Sequence, residues 1–113
     1  SLFHVSYSGV TMALVHGGQP DALILSHEPT RTHMRGLPEY QQPTLQQLRD
    51  TALPLAQVGN PNCKVVGISV NTQHMSEDEA VAYLAGVEAE MGLPTVDPFR
   101  HGAGRLVDAL DAV

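Results

Sequence analysis

The sequence predicts an α/β fold built on a parallel sheet with helices on both faces. Three observations lead to it: short apolar runs of strand length, apolar stripes of helical period between them, and helix-start signals after the runs. Along the chain these give the order helix, strand, long loop, helix, strand, helix, strand, helix. Strands that alternate with helices favour right-handed crossovers and parallel pairing.

The chain begins with a predicted helix. Ser6 or Ser8 is placed to cap a helix over residues 9–16, and Gly17 and Gly18 are placed to end it. Side-chain oxygens at a helix start accept hydrogen bonds from free N–H groups, and glycine accepts the left-handed turn at a helix end. This helix has no strand before it.

A strand and a long loop come next. The apolar run 22–26 has the length of a strand buried on both faces. Residues 27–43 then include Pro29, Pro38 and Pro43 and show no clear period. A loop of this length inside a domain is usually functional or disordered, and we predict a functional one.

The middle of the chain predicts a helix and the clearest strand. Thr44 and Gln47 form a capping-box pattern, and Pro54 should kink the helix that follows before residues 60–62 end it. Residues 64–70 are apolar and rich in β-branched side chains, as in a buried strand.

The last third predicts a helix, a short strand and a final helix. Ser76 and Glu79 repeat the capping-box pattern before a helix that Gly92 ends. Residues 94–97 predict a third strand, and a final helix follows the glycines at 102 and 104.

Composition excludes several classes of function. The 113 residues fit one α/β segment, and the net charge of −6 with three Tyr, two Phe and no Trp argues against nucleic acid, which needs a basic face and stacking rings. No apolar run approaches the roughly 18 residues of a membrane-spanning helix. The lone Cys63 has no disulfide partner, which favours a reducing, cytoplasmic location.

Charge density points to a covered surface. Charged residues make up 16 % of the chain, where about 25 % is typical. Together with the first helix, which no strand precedes, this favours a chain that is part of a larger protein or one subunit of an assembly. We therefore expect an incomplete, second-half domain with one apolar flank.

Polar residues gather after each predicted strand. The segments are 27–36, 71–74 and 98–102, and they hold four of the six His and three of the five Arg. Ligands of open α/β sheets bind at the carboxyl ends of the strands. We therefore expect His27, Glu28, Arg31, Asn71 and Arg100 to lie on one rim.

The first of these segments carries the most chemistry. His27 or Glu28 can serve as a general base, since burial and neighbours tune both toward neutral pKa. Arg31 and Arg35 offer planar forks for carboxylate or phosphate. The alternative is that Glu28 pairs with an Arg and only holds the loop.

Two other kinds of site are weaker. A metal site at His27, Glu28 and His33 would need helical His-Glu-x-x-His geometry, which Pro29 and the five-residue gap break, so no metal is predicted. Residues 6–9 at a helix start suit an anion or a simple cap. The chain contains no Gly-x-x-x-x-Gly-Lys-Ser/Thr phosphate loop.

Blocks in a fixed order carry a family resemblance. They are Ser1-Leu2, Tyr7–Thr11, His16-Gly17, Gln19–Ala22, His27–Arg31, Met34–Gly36, Val66–Thr72, Gly92–Pro94 and Asp97-Pro98. With them the chain resembles the carboxyl-terminal half of the D-glutamate N-acetyltransferase family, long known as a P-loop-containing family of unknown function. The resemblance spans essentially the whole chain.

The resemblance implies a fold and an activity. Such proteins have a Rossmann-like first part followed by a P-loop-type α/β domain, and residues 1–113 resemble the part of that domain after its phosphate loop. The implied activity is acetyl transfer from acetyl-CoA to the amine of D-glutamate, a small anionic substrate, in D-glutamate catabolism. The implied partners are further copies of the protein or a companion amino-terminal half, and this chain alone is expected to be inactive.

The implied chemistry can be assigned to residues. Acetyl transfer to an amine needs a base and a donor that stabilises the tetrahedral oxyanion. His27 or Glu28 can be the base, and Arg31, Arg35 and Arg100 can hold carboxylates or CoA phosphates. The oxyanion donor can be Tyr7, Ser8, Asn71 or Thr72.

Three other functions stay open. The same residues would serve a P-loop-type nucleotide-binding kinase or ligase, and the chain could also be a non-catalytic scaffold or oligomerisation fragment. An N-terminal nucleophile enzyme is the third alternative, in which Ser1 would use its own α-amine as the base.

Overall fold

The structure, a computed structural model, describes all 113 residues and divides into two compact units. The first unit consists of Ser1–Leu23 and Arg31–Val65, and the second of Ile24–Thr30 and Val66–Val113. The elements in chain order are α1 (Ser8–Gly18), β1 (Ala22–His27), β2 (His33–Met34), β3 (Leu37–Gln41), α2 (Leu45–Gly59), β4 (Lys64–Val70), α3 (Glu77–Met91), β5 (Thr95–Val96), α4 (Pro98–His101) and α5 (Gly104–Asp111).

The sheet confirms the predicted fold class. Three strands pair in the order β1-β4-β5, and β4 and β5 run parallel with Ile68 opposite Thr95. The order skips the hairpin and α2 between β1 and β4, so those strands are joined by a crossover as the alternation of strands and helices predicted. No helix is both long enough and apolar enough to cross a membrane.

In the first unit, α1 forms where predicted but with different ends. The residue at its N-cap is Tyr7, and no side chain caps it, so neither Ser6 nor Ser8 has the predicted capping role. The helix also runs through Gly17 and Gly18 to a left-handed Gln19, whose φ is 48°. The glycines adopt helical angles here, and the Gln19 N–H donates to the Val15 carbonyl oxygen at 3.1 Å, so the helix ends two residues later than predicted.

The start of α2 matches its prediction. Thr44 accepts from the Gln47 N–H at 3.1 Å, and the Gln47 side chain accepts from the Thr44 N–H at 2.9 Å, so the capping box is complete. Pro54 lies inside this helix. One turn of α1 is fastened to α2, because the His16 Nε2–H donates to the Leu55 carbonyl oxygen at 3.1 Å.

The long loop predicted for residues 27–43 contains regular structure. Strands β2 and β3 form a two-stranded antiparallel hairpin with an irregular register between His33 and Met34. Gly36 has a φ of 74° at the turn, which glycine adopts without strain. Sequence period alone missed this hairpin because β2 has two residues and β3 is largely exposed apart from its first residue.

His4 fixes the chain before α1 to the hairpin turn within the first unit. It is 7 % exposed, its Nε2–H donates to the Arg35 carbonyl oxygen at 2.9 Å, and its Nδ1 accepts from the Ser6 N–H at 3.2 Å. This pair of roles requires the neutral imidazole with the proton on Nε2.

Cys63 is also buried in the first unit. Burial raises the pKa of its thiol, and the nearby Asp21 carboxylate raises it further, which suits packing rather than nucleophilic attack.

The second unit holds most of the apolar core. Ile68 and Val70 of β4 are buried with one face of α3, which contributes Ala80, Leu84, Val87 and Met91. Ser76 caps α3 by accepting from the Glu79 N–H at 3.2 Å, but its hydroxyl also donates to the Glu79 carboxylate, so the predicted box forms only in part. Gly92 ends α3 in the left-handed conformation as predicted, with φ 68°.

The carboxyl-terminal elements differ from their predictions in length. The third strand comprises two residues, Thr95 and Val96, where four were predicted, because Asp97 turns away to cap the short helix α4. No helix was predicted over residues 98–101, although Asp97 followed by Pro98 is a helix-start pattern. Helix α5 packs Leu106 against β4, and a Cβ built on Gly67 would lie 2.5 Å from the Leu106 Cδ2.

Candidate functional site

A cleft of about 770 Å³ opens in the second unit at the carboxyl ends of its strands. Its lining comes from the ends of β1 and β4 and from α4: Ser26, His27, Glu28, Ser69, Val70, Asn71, Gln73, Asp97, Pro98, Phe99 and Arg100. Four of the predicted site residues are therefore brought together, namely His27, Glu28, Asn71 and Arg100. The expectation that strand ends gather these side chains holds for this part of the chain.

Asp97 is a buried residue of the cleft lining. The residue is 3 % exposed, and its carboxylate accepts hydrogen bonds from the Thr72 N–H at 3.0 Å and from the Thr72 hydroxyl at 2.5 Å. It also accepts from the N–H groups of Phe99 and Arg100 at 3.0 and 3.3 Å. Burial by itself raises the pKa of Asp97, but the hydrogen bonds from Thr72, Arg100 and Phe99 outweigh it and the pKa falls below its ordinary value.

The hydrogen-bond donors of Thr72 and most of those of Arg100 are occupied by other groups of the protein. Thr72 is fully buried, and both of its donors point to Asp97, which leaves none for an oxyanion. Arg100 donates through Nε to the Thr72 hydroxyl at 2.8 Å, through Nη2 to the carbonyls of Thr72 and Met75, and through Nη1 to Glu77 at 3.1 Å. These bonds engage four of its five N–H groups. The guanidinium thus holds the protein together rather than presenting a fork to a ligand.

Asn71 presents an oriented amide to the cleft. Its own N–H donates to the His27 carbonyl oxygen at 2.8 Å, which ties the end of β4 to the end of β1. Its side-chain oxygen accepts from the Gln73 N–H at 3.0 Å in an Asx turn. Because the oxygen is fixed in this way, the amide nitrogen is the side that remains to donate.

The acid–base groups of the cleft lie at the end of β1 and in the turn after β4. Glu28 has a side chain that is 14 % exposed, and the Nε2 of His74 lies 3.8 Å from its Oε1. Burial lowers the pKa of His27 more than the neighbouring Glu28 raises it, so the imidazole favours its neutral form. A neutral imidazole accepts a proton, and a carboxylate does so as well.

The remaining predicted site residues belong to the first unit. Tyr7 stacks at a tilt on His4 with ring centroids 4.7 Å apart, and its carbonyl oxygen accepts from the Thr11 N–H and hydroxyl at 3.0 Å. Ser8 opens α1, and its N–H donates to the His4 carbonyl oxygen at 2.8 Å. Arg31 and Arg35 are exposed, Arg31 before the hairpin and Arg35 in its turn. Their roles in binding anions stay predictions.

Gln73 and Asp97 line the cleft and His74 lies beside Glu28, but the sequence assigned a role to none of the three. His74 was within the segment after the second strand but was assigned no role, and Gln73 and Asp97 were not singled out as site residues. Asp97 could have been found from the Asp-Pro pattern at a helix start, whereas nothing local marks His74, whose position depends on the fold of the turn. No three His, Cys, Asp or Glu side chains are arranged to bind a metal ion. His33, a residue of the metal site considered from the sequence, has its Nδ1 2.8 Å from the carbonyl oxygen of Met34.

Comparisons with known proteins agree on one family. A family model described as "Domain of unknown function (DUF1611_C) P-loop domain" matches residues 1–107. Two curated relatives named D-glutamate N-acetyltransferase match, one from Tritonibacter scottomollicae at 80 % identity over the whole chain and one from Pseudoalteromonas sp at 39 % identity over 95 % of it. These matches confirm the resemblance found in the ordered sequence blocks.

A solved structure shares the fold. The crystal structure of a DUF1611 family protein from Anabaena variabilis superimposes with a TM-score of 0.90 at 36 % identity and covers all of this chain. The chain spans about a third of the length of each of these proteins, 34 % and 32 % of the two relatives and 33 % of the crystallised one.

Proposed function

Because this chain belongs to the DUF1611 P-loop domain family, we propose that its cleft takes part in acetyl transfer from acetyl-CoA to the amine of D-glutamate. The relatives that bear the name of this activity support the reaction class. The observation that carries the proposal is the convergence of Glu28, His27 and the oriented amide of Asn71 in one cleft. These are a base and a donor, the two groups that the reaction needs.

Glu28 is the base in this proposal. An amine attacks a thioester only after it has lost its extra proton, so the enzyme must accept that proton near the reacting nitrogen. The Glu28 carboxylate faces the cleft from the end of β1. His27, held neutral by burial, supplies a second acceptor beside it.

Asn71 is the oxyanion donor. The tetrahedral intermediate of acyl transfer places a negative charge on the former carbonyl oxygen, and a pre-oriented N–H lowers the barrier by binding it. Of the four candidates from the sequence, Asn71 lines the cleft and has a side-chain oxygen held by Gln73, so its amide nitrogen is the group left to donate. Thr72 is enclosed by Asp97 and Arg100.

Arg100 is committed to Thr72, Met75 and Glu77 and is not assigned to the substrate. Arg31 and Arg35, in the first unit, stay candidates from the sequence for binding anionic groups, since a planar fork pairs with a carboxylate through two bonds. The chain contains no phosphate loop of its own. We therefore assign only the acyl end of acetyl-CoA to this cleft.

The test is an assay of the full-length protein with acetyl-CoA and either D- or L-glutamate. Release of the CoA thiol and mass-spectrometric detection of the N-acetyl product are the readouts. We expect transfer to D-glutamate without added ATP. Transfer that requires ATP would favour the kinase or ligase alternative, and no transfer to any amine would contradict the proposal.

Two matched pairs of variants test the assigned roles. Glu28→Gln should lower kcat by about 10²- to 10⁴-fold, and the exposed Glu90→Gln on α3 should not. Asn71→Asp keeps the oxygen that accepts from Gln73 but replaces the donor, so kcat should fall by about 10²- to 10³-fold. The exposed Asn62→Asp is its control, and normal kinetics in Asn71→Asp would remove Asn71 from the mechanism.

A further inference from the structure

The turn that connects β4 to α3 is held from within the protein. The Met75 N–H donates to the Thr72 carbonyl oxygen at 2.9 Å and closes a four-residue turn. Arg100 bonds the carbonyl oxygens at both ends of this turn, and Asp97 holds Thr72 through two bonds. The buried network described above therefore fixes the backbone of residues 72–75.

This fixed turn places His74 beside Glu28, one of the residues that line the cleft. The imidazole is 64 % exposed, and its Nε2 lies 3.8 Å from the Oε1 of Glu28, which is 14 % exposed. Among the other charged groups of the cleft, Asp97 and Arg100 are committed to the network beneath the turn. His27 adjoins Glu28 in sequence. His74 thus places an exposed imidazole beside a carboxylate that is mostly shielded from water.

We propose that His74 is a proton relay between Glu28 and solvent. The inference rests on the proposed acetyl transfer and adds a residue to it. An imidazole takes up and releases protons near neutral pH, so a ring beside Glu28 can accept its proton and pass it on to water. The two groups lie 3.8 Å apart, within the range of an ion pair.

The relay accounts for the one proton that the reaction releases. Glu28 takes a proton from the substrate ammonium, and the resulting amine forms a C–N bond to the thioester carbonyl carbon. The C–S bond then breaks, and the departing thiolate takes the second proton from the nitrogen, which gives the amide and the free thiol. The proton on Glu28 passes to His74 and then to water, and the carboxylate is ready for the next substrate.

Chemical rescue of His74→Ala in the full-length protein tests this role. At low buffer concentration kcat should fall by about 10- to 100-fold, with KM for D-glutamate nearly unchanged because the ring does not hold the substrate. Added imidazole should restore most of kcat, since a small base can replace a relay. A loss of kcat that imidazole does not restore, or a kcat that never falls, overturns the proposal.

A matched control separates the relay from simple ion pairing. His101→Gln removes another His–Glu pair of the same unit, in which the Nε2 of His101 lies 2.7 Å from Glu77. It should keep normal kcat at every buffer concentration. Buffer dependence in this variant as well would show a general effect of lost surface histidine and overturn the assignment to His74.

A second readout does not depend on turnover. The imidazole signals of His74 are compared by NMR in the wild-type protein and in Glu28→Gln. They should differ between the two proteins, because the Glu28 carboxylate lies 3.8 Å from the His74 Nε2. Identical signals overturn the relay. If the wild-type protein transfers no acetyl group, the proposed function fails on its own assay while this measurement still decides the pair.

Discussion

Asp97 links three parts of the second unit through one carboxylate. It accepts from both donors of Thr72 at the end of β4 and from the first N–H groups of α4. Hydrogen bonds to a charged, buried acceptor stabilise a protein more than neutral ones do. The position of this part of the cleft lining therefore depends on this side chain.

Replacement of Asp97 by Asn should destabilise the protein. The amide lacks the charge, and its NH₂ group faces either the donors of Thr72 or the N–H groups of Phe99 and Arg100. We expect a loss of about 2–4 kcal/mol in the free energy of unfolding, measured by urea denaturation. Asp108→Asn on the exposed face of α5 is the control and should change stability by less than about 0.5 kcal/mol.

Acid should weaken the fold in two steps. The pKa of Asp97 is lowered in the folded state, so below the ordinary carboxyl pKa of about 3.9 the unfolded chain binds the proton first and stability falls with pH. The pKa of His27 is also lowered, mainly by burial, and by the same reasoning stability falls as pH drops below about 6.5. Urea midpoints at a series of pH values should show both steps.

Two variants assign the steps to their residues. His27→Gln should remove the loss near neutral pH, and Asp97→Asn should remove the loss in acid. Retention of a step in the corresponding variant would show that another group causes it.

Arg31 tests the predicted recognition of anions. Arg31→Lys in the full-length protein should raise KM for D-glutamate or acetyl-CoA by about 10- to 100-fold with a nearly unchanged Tm, because Lys cannot make two parallel bonds to one carboxylate. Arg31→Ala should raise it further. A sharp fall in Tm with normal kinetics of the remaining enzyme would instead make Arg31 a structural residue that holds the loop.

At the scale of elements, the contact between β4 and α5 sets how closely the helix approaches the sheet. Gly67 has no Cβ, and the Leu106 side chain occupies the space beside it: a Cβ at this position would lie 2.5 Å from the Leu106 Cδ2. The Pro94 carbonyl oxygen lies 3.4 Å from the same point. A larger residue must therefore displace the helix or the leucine.

A double-mutant cycle measures this contact. Gly67→Val should destabilise by about 1–3 kcal/mol through overpacking, and Leu106→Ala by about 2–5 kcal/mol through the cavity it leaves. The double variant should lose less than the sum, because the valine occupies part of the cavity. Strict additivity in urea denaturation would show that the two residues do not oppose each other.

The N-termini of α1 and α2 differ in whether a side chain caps them. The capping box of α2 is complete, and Thr44→Ala should cost about 1 kcal/mol in the free energy of unfolding. Ser6→Ala should cost little, because no side chain caps α1. An equal loss in both variants would mean that Ser6 stabilises α1 by a contact other than a cap.

At the scale of the whole molecule, the proposed activity concerns more than these 113 residues. The relatives named for it are about three times as long, and the chain contains no phosphate loop. We expect the 113-residue chain to fold but to release no thiol from acetyl-CoA, whereas the full-length protein does so. Thiol release and far-UV circular dichroism of the same samples check both statements, and turnover by the chain alone would contradict this expectation.

The sequence by itself determined the class of fold and most elements. Apolar runs, capping patterns and the glycine after α3 depend on neighbours within a few residues, so Lys64–Val70 and both ends of α3 lie where they were predicted. It also led to the family and to three of the side chains now assigned to the cleft chemistry, His27, Glu28 and Asn71.

Only the tertiary structure decided which polar groups face the cleft and which are enclosed. Arg100 has the side chain of an anion ligand, but the fold surrounds it with carbonyl oxygens and Glu77. His74 has no local signal, yet the turn brings it to Glu28 from 46 positions away in sequence. Such roles depend on contacts between residues that are far apart in the sequence, and local patterns do not encode these contacts. For this reason the sequence identified candidate residues but not what each of them does.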